Sequence, residues 1–164
     1  MTSILKVSEI QDPTNSNTAL TIDSAGDVTI AGVEIDLYRL TADFSSNTVM
    51  TGWERPDDGH FAKLGTGMSE SSGIFTFPST GLWRVDGNWS MSCASNDALV
   101  LYVRLSQDSG STYDDISLAV DSNGEGCAST TNIINVTNAS TFKLQFLAQS
   151  ISSGSAFNGR SEFN

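Results

Sequence analysis

Between residues 82 and 93 the chain alternates strictly. Trp83, Val85, Trp89, Met91 and Cys93 fall on one side, and Arg84, Asp86, Asn88, Ser90 and Ser92 on the other. A side-chain period of two belongs to an extended strand with one dry face and one wet face, because successive Cβ atoms leave a pleated backbone on opposite sides. Residues 99–105 are apolar on both faces at first, which predicts a strand in the middle of a layered structure, its second face against another layer or subunit. Residues 115–120, 132–136 and 141–148 predict further strands. Clusters of Gly, Asn, Asp and Ser at 107–111, 121–126 and 138–140 predict the turns between them. No segment carries a competing helix period. The expected fold is all-β, an antiparallel jelly-roll sandwich over residues 36–164.

Residues 1–35 have a different texture. Short apolar pairs, Ile4 and Leu5 with Val7, then Ile10, Leu20 with Ile22, Val28 with Ile30, and Val33 with Ile35, are separated by polar turns of uneven spacing. Residues 24–27 read as a turn between two alternating runs, a minimal hairpin or a tightly wound shaft. No aromatic residue precedes Tyr38, so this segment is too poor in bulky side chains to bury a core of its own. It is expected to be an extended arm with short strands, completed by another chain. Ile4, Leu5, Val7, Ile10, Leu20, Ile22, Val28 and Ile30 are its docking residues. In the head, Leu99, Leu101, Val103, Phe142, Leu144 and Phe146 are expected to fill the sandwich and the seam between subunits.

The 164 residues suit one domain, and their 8 basic and 19 acidic side chains give a formal charge of −11. That charge repels nucleic-acid phosphates and anionic membranes, and no apolar run reaches the ~18 residues of a spanning helix. The chain is expected to be soluble and made in the cytoplasm of its producing cell, with neither nucleic acid nor a membrane as partner. A hydrolytic triad needs a histidine beside a nucleophile and a carboxylate. The one histidine, His60, sits in the polar stretch 57–61 and reads as a surface residue. Asp57–Asp58 and Asp114–Asp115 are adjacent pairs, which on a strand point to opposite faces and cannot serve one substrate. Residues 121–126 are oxygen-rich but lack the length and terminal glutamate of an EF-hand loop, so calcium is only a secondary expectation and no metal or other cofactor is assigned. Cys93 and Cys127 make no metal-ligand pattern and read as two buried free thiols, with a disulfide as the alternative. Trp53 and Tyr113 lie near expected turns and are the two candidates for stacking on a glycan.

Residues 73–85, with Pro78 ending one strand, Gly81 closing the turn and Trp83 opening the next core strand, resemble the signature of tumour-necrosis-factor and complement-type jelly rolls. Residues 131–137 followed by 142–146 resemble the late strands of the same domain. The opening residues 3–12 and 18–26 are similar to the N-terminal segment of short, tail-fibre-like structural proteins of marine tailed phages. These resemblances imply a homotrimeric, non-enzymatic protein on the outer surface of a virion. Its arm would dock to phage head or tail proteins, and its jelly-roll head would act as a short fibre or head decoration. The alternative is an adhesin head that engages a host glycan or receptor. The resemblance also implies an aromatic-rich last strand, whereas here the sequence ends at Asn164.

Overall fold

The computed structural model describes residues 7–11, 18–26, 28–30, 32–56 and 63–160, and every regular element among them is a β-strand. The head is organised by one long antiparallel hairpin, β8 (Gly81–Ser106) with β9 (Asp114–Val136). Its ladder runs from Gly81 opposite Val136 to Leu105 opposite Asp114. At the tip, Asp108 organises the turn: its carboxylate accepts from Ser106 Oγ at 2.7 Å, from Thr112 N at 2.9 Å and from Thr112 Oγ1 at 2.7 Å. These donors, led by the Thr112 amide, hold its pKa down to about 2.

The hairpin supplies both layers of the sandwich. Residues 81–93 of β8 pair with 124–136 of β9, and β11 (Ala156–Phe157) adds to them at Met91 and Ser92. Residues 98–105 pair with 114–122 on one side. On the other they pair with β10 (Lys143–Gln149), which carries β7 (Ile74–Thr76) and then β6 (Ser69–Ser71). The two halves face each other, with the rings of Trp89 from the first and Phe146 from the second 5.1 Å apart. Strands β4 (Arg39–Leu40) and β5 (Trp53–Glu54) pair with each other, while Phe44 bridges to Phe157 and Val49 to Leu147, so that the segment between them closes one end of both layers.

Three expectations change here. Residues 121–126 are no turn: β9 runs through them, and the ladder shifts register where Cys93 faces Gly124 and Ala98 faces Ser122. The polar composition serves a strand crossing between layers, where Gly124 takes a φ of +109° that only glycine adopts without strain. The extra residues on the β8 side are tied down by Asp97, whose carboxylate accepts from Ser155 Oγ and from Ser152 N. Likewise, the strands expected at 82–93 and 99–105 are halves of one element, as are those at 115–120 and 132–136. Of the two thiols expected to be buried, Cys93 is buried and Cys127 is exposed, and both are free. Cys127 faces Ser90 in the ladder, on the wet side of the alternation.

Leu99, Leu101 and Val103 are 0% exposed, and Phe142, Leu144 and Phe146 are at most 7% exposed, all inside the sandwich of a single chain. The Pro78–Gly81 bend brings the rings of Phe77 and half-buried Trp83 to 5.5 Å. Gly81 there takes a φ of +137°. The arm is a separate three-stranded meander of β1 (Glu9–Gln11), β2 (Thr18–Ile22) and β3 (Val28–Ile30), in the order β1-β2-β3. The expected hairpin is present: Asp23 accepts from Ala25 N through Oδ1 at 2.8 Å and from Gly26 N through its carbonyl at 3.1 Å. Ile4, Leu5, Asp57, Asp58, His60 and the last four residues lie outside the described residues.

Candidate interaction surfaces

Register decides what the arm presents. Ile10 faces Leu20, Leu20 faces Ile30, and Ile22 faces Val28. Directly opposed residues of antiparallel strands share a face, as do positions i and i+2. All five aliphatic side chains therefore lie on one side of the meander, and Glu9, opposite Thr21, lies on the other. The outer strands of that side are open, with Ile10 49% exposed and Val28 and Ile30 each 55% exposed, while Leu20 and Ile22 on the central strand are half-buried. Val7, at 39% exposed, precedes the meander.

The arm meets the head through a compact polar joint. Ile35 and Leu64 exchange backbone hydrogen bonds of 3.0 and 2.9 Å. Asp36, nearly buried, accepts from Arg55 Nε at 2.8 Å, from a terminal Arg55 nitrogen at 2.9 Å and from Met68 N at 2.8 Å. Arg55 also donates to the Met68 carbonyl and lies 4.7 Å from the Tyr38 ring centre, while Tyr38 Oη donates to the same carbonyl at 2.7 Å. The Asp36 carboxylate pushes the Arg55 pKa up, and burial raises that of Tyr38. No motif in the sequence announced this cluster. Its members are far apart along the chain, and only the return of residues 64–68 beneath the arm unites them.

A cleft of about 770 Å³ opens between residues 32–38 and residues 79–89. Its floor includes Trp53, Phe75, Trp89 and Phe146. Along it, β8 has an unpaired edge among the described residues, because β11 pairs only at Met91 and Ser92. Trp53 belongs to this floor: it is half-buried, its ring lies 5.4 Å from Phe146 and 5.7 Å from Phe75, and its Nε1 donates to the Met50 carbonyl at 2.9 Å. Tyr113 lies elsewhere, beside the hairpin tip. Its ring sits 5.7 Å from the Arg104 guanidinium, and its hydroxyl is buried without a hydrogen-bond partner among the described residues. The two aromatic residues nominated for a glycan are not brought together.

Several apolar residues are exposed on the head. Leu82 is 78%, Ile133 68%, Leu118 54% and Val120 49% exposed. In residues 116–120 the bulky Ile116, Leu118 and Val120 point out, while Ala119 is buried and Ser117 half-buried. The alternation of large and small residues carried that signal, but apolar alternation reads by default as large-side-in. Among the described residues no three His, Cys, Asp or Glu side chains stand close enough to hold a metal ion. Asp115 is engaged by Arg104 at 2.7 Å, on the strand that also carries Asp114.

No protein-family model matches the chain, and no curated protein matches its sequence. Solved structures do resemble it. Murine APRIL at pH 5.0 superposes with a TM-score of 0.53 at 11% identity, over 77% of this chain and 97% of that one. Murine APRIL at pH 8.5 gives 0.52 at the same identity and coverage. The head is therefore a jelly roll of the tumour-necrosis-factor type.

Proposed function

We propose that this chain is a non-enzymatic structural protein of a tailed-phage virion, a homotrimeric short fibre or head decoration on the outer surface, attached to phage head or tail proteins by its N-terminal arm. The observation that carries this reading is the arm. Five aliphatic side chains share one face, with Ile10, Val28 and Ile30 about half exposed and Leu20 and Ile22 half-buried, on a single sheet that has no second layer of its own to pack against. An arm of that kind exists to be covered by another chain. The head offers a rigid sandwich with exposed apolar residues at Leu82, Ile133, Leu118 and Val120, suited to contact between copies.

Deleting residues 1–35 tests attachment. The truncated chain is expected to be absent from purified particles that incorporate the full chain, and its normal incorporation would overturn the arm's role. A second reading, an adhesin head that binds a host glycan or receptor, is favoured by the aromatic floor of the 770 Å³ cleft. Asn88, exposed and on the cleft lining, tests it without disturbing the core. Host adsorption unchanged by Asn88→Trp, which enlarges a side chain bordering the cleft, would remove this reading.

A further inference from the structure

We infer that the apolar face of the N-terminal meander is a homotypic surface, covered by the same face of a second copy of this chain. Charge distinguishes this occupant from others. The chain carries a formal −11, so two copies repel wherever their acids approach. Among the described residues the face built from Ile10, Leu20, Ile22, Val28 and Ile30 contains no ionisable group, and Glu9 lies on its reverse. Asp23 sits in the turn beyond the strand ends, and its Oδ1 is occupied by the Ala25 amide. This side of the arm is thus one that two copies can bring together without opposing like charges. A basic partner, drawn to an acidic chain by its charge, would gain nothing at this face.

Shape agrees with the charge. Ile10, Leu20 and Ile30 form one row across the three strands, and Ile22 with Val28 forms a second. Aliphatic rows on two such sheets interdigitate at the usual ~10 Å separation of packed sheets. In a homotrimer the same face of each copy turns towards the threefold axis, where neighbouring copies cover one another. This inference rests on the self-association proposed above and specifies where in the arm it occurs. It leaves the polar reverse, with Glu9 and Thr21, to meet the particle.

Site-directed cross-linking of the full chain tests it, in a Cys127→Ser background that removes the exposed native thiol. Leu20→Cys places a thiol in the middle of the face, and Thr21→Cys places one on the reverse. Mild oxidation is expected to convert Leu20→Cys to a covalent dimer at least tenfold more than Thr21→Cys. Adding Ile10→Ser with Ile30→Ser should abolish the difference. Emission from Trp53, Trp83 and Trp89, all in the head, verifies that each variant is folded. An oligomer by sedimentation whose two cysteine variants cross-link equally, or not at all, overturns this inference alone. A monomer by sedimentation overturns the self-association reading with it.

Discussion

The head and the arm are built from the same aliphatic residues in the same period-two pattern, and they end in opposite states. Leu99, Leu101 and Val103 are fully buried, whereas Ile10, Val28 and Ile30 stay about half exposed. The strands do not explain this, since both regions make regular antiparallel ladders. What differs is a second layer. The head's long hairpin passes from one layer to the other, so one chain supplies both sides of its core. The arm's three strands make a single sheet with nothing of their own to fold onto. Alternation thus specifies a dry face without specifying who covers it.

The largest test of that contrast compares truncations in the two regions. Leu101→Ala removes a side chain that is 0% exposed and is expected to cost the head about 3–5 kcal/mol. Ile30→Ala should change the stability of the head by less than about 0.5 kcal/mol. Guanidinium titrations followed by tryptophan emission measure both. A comparable loss from Ile30→Ala would mean that arm and head share one cooperative unit.

The joint between the regions gives a smaller effect. Arg55→Ala leaves Asp36, whose side chain is 7% exposed against 39% for Arg55, with the Leu37 and Met68 amides but without its ion pair. A loss of about 2 kcal/mol is expected for charged hydrogen bonds of this kind, together with faster proteolysis between residues 32 and 38. Unchanged cleavage there would show that the backbone pairing of Ile35 with Leu64 holds the arm by itself. Of similar size is Gly73→Ala. Gly73 has a φ of +84°, and an added Cβ would press on the Met50 carbonyl, so a cost of about 1–3 kcal/mol is expected. A neutral result would mean that the turn after β6 can relax.

Much of the head was legible because burial there follows alternation. Trp89, Met91 and Cys93 are inside, and Leu144, Phe146 and Ala148 follow the same rule. The arm hairpin was legible from residues 24–27. The crossing at 121–126 was not, because its glycine and acids look like any polar turn, and only the pairing partner shows that the ladder continues. The interaction surfaces were half legible. The arm's aliphatic residues could be chosen from their apolarity, but the convergence of Ile10, Leu20, Ile22, Val28 and Ile30 on one face needed the register, and the placement of Trp53 in the cleft floor needed both layers. Asp36 and Arg55 carried no local signal, since a joint between distant loops leaves no periodicity.

The smallest expected effect is one of pH, and it falls on the head alone. Asp97 has a pKa of about 2, held down chiefly by its hydrogen bond from the Ser155 hydroxyl. Asp108 is lowered to the same level by the Thr112 amide. In an unfolded chain these carboxyls titrate near ~3.9. A depressed carboxyl contributes stability that is complete above its unfolded pKa and is lost as pH falls through its folded pKa. Both contributions therefore fade between about pH 4 and pH 2. Both groups organise connections of the head: Asp97 ties the β8 bulge to residues 152–155, and Asp108 closes the hairpin tip. The melting temperature of the head is expected to fall across that window, and Asp97→Asn should flatten part of the slope while lowering stability at pH 7. If the slope is the same in the variant, the acid sensitivity resides in other carboxyls, among which Asp108 at the hairpin tip is the first to examine. A slope that disappears on Asp108→Asn instead would place the acid sensitivity at the hairpin tip, where the Thr112 amide and hydroxyl hold that carboxylate.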